Sequence, residues 1–400
     1  MPKLLQINVT ANWGSTGKIA EQIGLCAMNH GWDSYIAYGR CANPSQSHLI
    51  RIGSTFNTYE HFAENRFLDN EGLASRCATY KFVREVEDIK PDLIHLHNIH
   101  DHYLNYPILF DYLAKSGVPV VWTQHDCWAF TGGCKYYELL GCAQWKQECL
   151  ICPQNRAFLL DRTKMQYNLK KEKINQVKNL TLVPVSAWLE NELRASFLKH
   201  YDIVPIFNGV DINLFNSIDG SLVREKYGFG SKKILLGVAN IWEERKGLSD
   251  YIQLAKLLND DYRIVLLGLS NSQIKCLPTN IIGIKRTEDI LEMVQLYSTA
   301  DIVLNLSYEE TFGLTTVEGM ACGTPGIVYD LTASPELISP STGIVVKGGD
   351  IKAVKDAIYR ISDNPKSYYS INCRKKVMDL YDKDKCFEKY ITLYGNLLIK

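Results

Sequence analysis

The stretch Ser307-Tyr-Glu-Glu-Thr-Phe-Gly-Leu-Thr-Thr-Val-Glu-Gly-Met-Ala-Cys-Gly-Thr-Pro-Gly326 holds two carboxylates, Glu310 and Glu318, on either side of a turn-forming Phe312-Gly313-Leu314. The apolar run 301–306 before it reads as a buried strand, and 325–329 after it reads as another. The turn leads into a helix that Thr315 or Thr316 can cap. Glu310 then projects from a loop and Glu318 from the helix, so the two reach one elongated ligand at different points. The helix start also offers backbone N–H groups to a diphosphate.

Outward from this segment, short β-rich runs alternate with helical patterns along the whole chain. Strands are expected at 3–9, 33–38, 92–97, 119–125 and 180–186, with helices near 17–30, 81–90, 104–115 and 158–178. The pattern restarts with strands at 234–239, 262–268, 301–306 and 325–329. Such alternation means parallel sheets with helices on both faces. The expected fold is α/β, two Rossmann-like doubly wound domains facing across a cleft, where ligands bind at the carboxyl ends of the strands. The turn-rich 206–215 marks the hinge. The N-terminal domain is assigned to 1–205, with a Cys-rich insert at 126–155. The C-terminal domain is assigned to 206–382. A final helix, 383–400, is expected to pack back on the first domain, with Asp382 or Asp384 as its N-cap rather than a D-x-D metal motif.

Composition narrows the function. The 400 residues are 46% hydrophobic and 22% charged, enough for large cores. Lys+Arg and Asp+Glu both number 44, which argues against nucleic acid held by a general positive field. No signal-peptide pattern and no apolar run of membrane-spanning length is evident, so a soluble, cytoplasmic protein is expected. In a reducing compartment the twelve cysteines read as buried thiols or metal ligands rather than disulfides.

After the first strand the chain reads Asn12-Trp-Gly-Ser-Thr-Gly-Lys-Ile-Ala20. A P-loop needs a Gly where Asn12 stands and a Ser or Thr where Ile19 stands, so a P-loop is rejected. Gly14, Ser15, Thr16 and Gly17 instead form a small-residue turn whose amides can face an anion.

Taken together, these segments resemble the retaining GT-B glycosyltransferases of the family 4 type. The resemblance rests on Glu310-x7-Glu318 with its Glu-Gly-Met-Ala-Cys-Gly-Thr-Pro continuation. It rests also on the turn at 14–17, His125-Asp126, Val185-Ser-Ala-Trp-Leu189, Asn208-Gly-Val-Asp211 and Arg245-Lys-Gly247, all in family order. It implies a nucleotide-diphospho-sugar donor, with UDP, GDP or ADP left open, held by the C-terminal domain, and an acceptor that is a glycan or a polyprenyl-linked glycan on the side of the N-terminal domain. Glu310 would bind sugar hydroxyls and Glu318 the ribose diol. Phe312, Gly313, Leu314 and Thr315 would line sugar and phosphate. Arg245 and Lys246 would stabilise the departing diphosphate, so catalysis would need no metal. Relatives often carry Gly-Arg where this chain has Ala239-Asn240, and Arg245 is expected to take over that charge. Ser15 stands where a second Gly is common. His125 would lie near the donor sugar, with His97, Asn98 and Asp126 on the acceptor side. Front-side transfer and double displacement both remain open. The implied role is transfer in capsule, O-antigen or exopolysaccharide assembly. The rivals are a GT-B nucleotide-sugar epimerase and a non-catalytic nucleotide- or zinc-binding partner protein; a phosphorylase would need a pyridoxal lysine, for which no matching context appears.

Two segments stand outside this scheme. Cys134, Cys142, Cys149 and Cys152 have a spacing that allows a structural four-thiolate zinc site, the alternative being buried or free thiols. Residues 156–178 hold seven Lys/Arg against two acids, interleaved with apolar residues. That pattern fits either a peripheral contact with the inner face of a membrane or a solvated helix face.

Overall fold

The computed structural model describes residues 1–155 and 157–399. They form two units, Met1–Ile206 together with the chain from Phe387 on, and Phe207–Cys386. Each is a Rossmann-like α/β unit built on one parallel sheet.

The first sheet contains β1 (Lys3–Asn8), β2 (Asp33–Tyr38), β3 (His48–Arg51), β4 (Leu93–Leu96), β5 (Val120–Gln124), β6 (Leu180–Pro184) and β7 (Asp202–Ile203), in the order β3-β2-β1-β4-β5-β6-β7. Every residue of β4, β5 and β6 is buried, because helices cover both faces. Helix Gly14–Asn29 lies close to the sheet through small residues: a Cβ on Gly24 would sit 2.8 Å from Ser47 Oγ and 2.9 Å from Ser34 Oγ.

The second sheet contains β8 (Lys233–Val238), β9 (Tyr262–Leu267), β10 (Ile281–Ile284), β11 (Ile302–Asn305), β12 (Gly326–Tyr329) and β13 (Gly343–Val346), in the order β10-β9-β8-β11-β12-β13. In both sheets the order reverses beside the first strand, between β1 and β4 and between β8 and β11. Those reversals are where such folds hold ligands.

Four strands, β3, β7, β10 and β13, were not expected from the sequence. All are edge strands of two to four residues, too short to show a period. The helix expected at 158–178 is confined to Thr163–Asn175. Ahead of it the chain bends against a neighbouring helix end: the Phe158 and Leu159 amides donate to Arg66 and Phe67 carbonyls at 3.0 and 3.1 Å.

The last helix, Lys383–Ile399, begins where the Asp382 carboxylate accepts the Asp384 amide at 3.1 Å. Its start is clamped by the 208–211 turn: Val210 N–H donates to Tyr381 O and Lys383 N–H to Val210 O, at 2.8 and 3.0 Å. A side chain on Gly209 would meet Lys383 Cα at 2.2 Å, which explains the glycine. Farther along, Tyr390 and Tyr394 are buried against the first sheet. Among the described residues no helix is long and apolar enough to cross a membrane.

Candidate active site

In the second unit the ends of β8 and β11 carry the two loops of interest. After β8 a single 3-10 turn, Glu244–Lys246, precedes Gly247 and helix Leu248–Ala255. Gly247 has φ of 70°, and a Cβ there would lie 2.2 Å from Leu306 O. Glycine thus lets this loop press against the chain leaving β11. Tyr308 N–H donates to Arg245 O at 2.8 Å across the same contact. The result is an ion pair, Lys246 Nζ to Glu310 Oε1, between residues 64 apart in sequence. Arg245 donates through Nε to Glu243 Oε2 at 3.0 Å and through Nη1 to Glu309 O at 3.4 Å.

Several groups fix Glu310 that no sequence motif announced. Its N–H donates to Thr332 Oγ1 at 2.9 Å, and its carbonyl accepts from Ala333 N–H at 3.1 Å. Thr332 holds a φ of 51°, an uncommon left-handed conformation for a β-branched residue. Buried Asp250 accepts from the hydroxyls of Tyr308 and Tyr329 at 2.8 and 2.7 Å, tying the loop to helix Leu248–Ala255. Positive φ at residue 332 was the detectable structural signal; sequence alone carries none, because the partners come from four separate segments.

Helix Leu314–Ala321 starts at Gly313, φ 95°, with no side chain capping it. The expected Thr315 or Thr316 cap is therefore corrected. Both lie inside the first turn, and Thr316 Oγ1 instead accepts from Asn305 Nδ2 at 3.1 Å. Glycine reaches the left-handed conformation at little cost, which removes the need for a polar cap to set the chain direction. Glu318 accepts from Tyr297 OH at 2.8 Å, Phe312 is buried against Tyr381, and Asn240 is exposed.

In the first unit the ends of β1, β4 and β5 converge. Asn8 joins three pieces. Its Oδ1 accepts Asn98 N–H at 3.2 Å, and its Nδ2 donates to Thr10 O at 2.8 Å and reaches Thr16 Oγ1 at 3.4 Å. The turn Gly14, Ser15, Thr16, Gly17 begins the helix itself, preceded by Trp13 with no side-chain cap. A Cβ on Gly17 would lie 2.6 Å from Thr10 Oγ1, so the turn is tight at that position.

The histidines form a buried relay. Gln6 Nε2 donates to Ala20 O at 2.8 Å, which orients its Oε1 toward His97 Nε2, 3.0 Å away. That oxygen only accepts, so His97 carries its proton on Nε2 and its Nδ1 accepts from His125 Nε2 at 3.1 Å. Burial holds the His125 pKa down at about 4, against the opposing pull of Asp126, so its ring is neutral at pH 7. His95 packs against His97 with ring centroids 4.1 Å apart and planes tilted by 35°, and bonds Tyr394 OH and Thr123 Oγ1 at 2.6 and 2.7 Å.

This geometry revises two acceptor-side expectations. His97 is 1% exposed with both ring nitrogens engaged, so it orients His125 from within instead of facing a ligand. Asp126 turns inward too, accepting from Trp128 N–H and pairing with His100 Nε2, both at 2.9 Å. His100 also lies 3.4 Å from Asp101, which pairs with Lys135. Burial and Lys135 oppose its charge, yet the two carboxylates prevail and raise its pKa to about 9. Asp101 and His102 both adopt positive φ, 77° and 68°.

In the Cys-rich segment, Cys149 Sγ accepts Gly132 N–H at 3.3 Å. Among the described residues, no three of Cys134, Cys142, Cys149 and Cys152 form a set with all sulfurs within 4.8 Å of one another. Within 156–178, Arg156 lies outside the described residues. Lys170 is fully buried, donating to Trp128 O at 2.7 Å, and Lys173 pairs with Asp111 at 2.7 Å. These two cations therefore face the protein and not a lipid surface. Among the described residues of the segment, the large apolar side chains that are exposed are Phe158, Leu159 and Leu160 in the loop ahead of the helix and Met165 in its first turn.

Comparisons with known proteins bear on both units. Residues 25–214 match the family model described as Glycosyltransferase Family 4, and residues 221–376 that described as glycosyl transferases group 1. Over 227 residues the chain is 27% identical to N-acetyl-alpha-D-glucosaminyl L-malate synthase of Bacillus anthracis, covering 54% of this chain and 59% of that protein. A protein of Escherichia coli (strain K12) bearing the name colanic acid biosynthesis glycosyl transferase WcaC is 20% identical, over 98% of this chain and 100% of its own. Among solved structures, sucrose-phosphate synthase from Thermosynechococcus elongatus superposes with a TM-score of 0.75 at 18% identity, covering 100% of both chains. Anabaena Alr3699/HepE in complex with UDP gives 0.69 at 15% identity, over 99% of this chain and 100% of that one. At such identities the structural likeness establishes the fold alone.

Proposed function

The chain belongs to the GT-B glycosyltransferases of the family 4 type, and from that premise we propose that it is a retaining enzyme using a nucleotide-diphospho-sugar. The acceptor is a hydroxyl of a glycan or lipid-linked glycan, in the assembly of a bacterial surface polysaccharide. The observation that carries this reading is the Lys246–Glu310 pair, formed at the strand-order reversal of the second sheet and braced by Gly247, Asp250 and Thr332.

In this reading Glu310 accepts hydrogen bonds from the donor sugar and Glu318 from the ribose diol, two oxygens suiting two adjacent hydroxyls. The uncapped start of helix Leu314–Ala321 presents its first amides to the diphosphate. Lys246, with Arg245, supplies positive charge to the leaving group. The bond from the anomeric carbon to the phosphate oxygen breaks with its electron pair going to the diphosphate. A fixed cation stabilises that growing charge more than it stabilises the ground state. With two cations in place the reaction needs no divalent ion. The acceptor oxygen forms the new bond, and its proton passes to the departing phosphate. Neutral His125 serves as a hydrogen-bonding contact to the sugar rather than as a charge. The HepE complex with UDP supports a UDP-sugar as the first donor to try, and the name of the Escherichia coli relative supports the polysaccharide setting. Exposed Phe158, Leu159 and Leu160 are a candidate for touching the membrane that carries a lipid-linked acceptor.

A binding screen against UDP-, GDP- and ADP-sugars tests the donor, followed by transfer assays with Glu310→Gln. The expected outcome is saturable binding of one nucleotide class and loss of transfer in the variant without loss of folding. Near-normal transfer by Glu310→Gln removes that residue from the mechanism. Conversion of the donor to an isomer without acceptor would favour the epimerase reading instead.

A further inference from the structure

We propose that Cys26, His30 and Glu388 bind one zinc ion, which fastens the last helix of the chain to the far end of the first. Cys26 stands in the last turn of helix Gly14–Asn29 and His30 caps that helix, one turn further on. Glu388 comes from helix Lys383–Ile399, 362 positions beyond Cys26, and all three residues belong to the first unit. Their ligand atoms are already together: one from each residue, all within 4.8 Å of one another. The Cys26 thiol donates to Glu388 Oε1 at 3.6 Å, and His30 Nε2 stands 3.3 Å from Glu388 Oε2. Around a tetrahedral zinc, neighbouring sulfur and oxygen ligands stand about 3.5 Å apart, and nitrogen and oxygen ligands about 3.3 Å.

The His30 ring is set for this role. Its Nδ1 lies 2.9 Å from Cys26 O. A carbonyl only accepts, so Nδ1 carries a proton, and in the neutral ring Nε2 presents its lone pair. Ligating histidines are oriented by just such an outer bond to a backbone carbonyl. The lone pair faces a carboxylate oxygen, and two acceptors need a positive centre between them. A proton on Nε2 serves that pair alone, whereas a metal ion serves the sulfur as well. The last turn of the helix carries no Lys or Arg, so a cation there also meets the negative end of the helix dipole. A thiolate, an imidazole and a carboxylate suit zinc, while magnesium and calcium take oxygen ligands. As the Zn–S bond forms, the thiol proton passes to solvent, and water fills the fourth position. The site is structural, since 16 residues of helix, about 24 Å, separate it from the 14–17 turn. The same segments meet again where Trp32 packs edge-on against Tyr394, with ring centroids 5.5 Å apart. The ion thus holds in place the helix that carries Tyr390 and Tyr394.

The test uses the full chain, reduced and stripped of metal with a chelator. Zinc chloride is titrated in by calorimetry, and cobalt(II) is added as a spectroscopic probe of sulfur ligation. Cys26→Ser and His30→Ala should each bind one zinc equivalent fewer than the unaltered chain, and Cys26→Ser should lose thiolate-to-cobalt charge-transfer intensity. The loss of affinity at the site should reach at least about 100-fold, the upper end of what losing even an outer-shell partner costs. Cys276→Ser, exposed in the other unit, should change neither readout. Magnesium chloride should not compete. Zinc should raise the unfolding midpoint of the unaltered chain more than that of either variant, because an ion bound only by the folded state stabilises it. If one variant does not fold, Glu388→Gln takes its place. A reduced chain that takes up no zinc leaves His30 and Glu388 as a proton-bridged pair and overturns the proposal. Unchanged zinc stoichiometry in the variants overturns it equally.

Discussion

At the scale of single residues, the candidate site depends on one charged contact and one missing side chain. Lys246 and Glu310 are each about one-sixth exposed, so each is compensated by the other before any ligand arrives. Lys246→Ala should lower kcat by about 10²–10³-fold, the usual effect of removing one preorganised charge-stabilising donor. Steady-state kinetics with saturating donor check this, and an unchanged kcat would remove Lys246 from leaving-group stabilisation. Gly247 is held at positive φ with Leu306 O occupying the space of a Cβ. Gly247→Ala should therefore destabilise the second unit by about 2–4 kcal/mol, through strain and overpacking together. Urea unfolding measures this, and a loss below about 0.5 kcal/mol, the range of a neutral surface change, would contradict it.

At the scale of elements, helix Lys383–Ile399 does more than close the chain. Tyr394 OH and Tyr390 OH reach His95 and Thr123, and His95 packs against His97, which sets the proton position of His125. A chain of contacts thus runs from the last helix to the end of β5. Tyr394→Phe leaves His95 Nδ1 buried without that hydroxyl, at a cost of about 1–3 kcal/mol. Thermal unfolding should show the loss. Catalysis should change little, because the relay through Gln6 and His97 stays intact; a large fall in kcat with full stability would give the helix a direct catalytic role. The helix starting at Gly313 illustrates the opposite economy. It lacks any capping side chain, leaving its first amides to other partners.

At the scale of the whole molecule, each unit places its candidate residues at the carboxyl ends of its central strands. In the first unit the 14–17 turn follows β1 and His125 follows β5, one strand beyond the β1–β4 reversal, and in the second Lys246 and Glu310 lie beyond β8 and β11, which flank the reversal there. The pH dependence of stability should originate in the first unit. His100 has its pKa raised to about 9 by Asp126 and Asp101, against an ordinary value of 6.5. The folded state then holds this proton more tightly, so the stabilisation is full below about pH 6.5 and is lost as pH rises through about 9. Unfolding followed by probes in the first unit should show stability falling across that window. His100→Asn should flatten the slope, and an unchanged slope would remove His100 as its source. At the acid end Asp126, held below its ordinary pKa by His100 against the cost of burial, contributes stability that is lost as it protonates.

What the amino-acid order determined by itself was most of what is local or repeated. Alternating apolar runs specify the central strands, since residues buried on both sides must be apolar whatever surrounds them. The glycines at 14, 17, 247 and 313 and the two spaced glutamates mark loops whose backbone or chemistry admits few alternatives. The short edge strands were illegible because two to four residues contain no period. Only the tertiary structure decided which charges meet. The Lys246–Glu310 pair joins positions 64 apart, the Thr332 brace comes from beyond β12, and the inward turn of His97 depends on Gln6, 91 residues away. Such contacts follow from the order of strands in the sheets, which local pattern does not encode, because parallel neighbours are set by crossover connections rather than by adjacency in sequence.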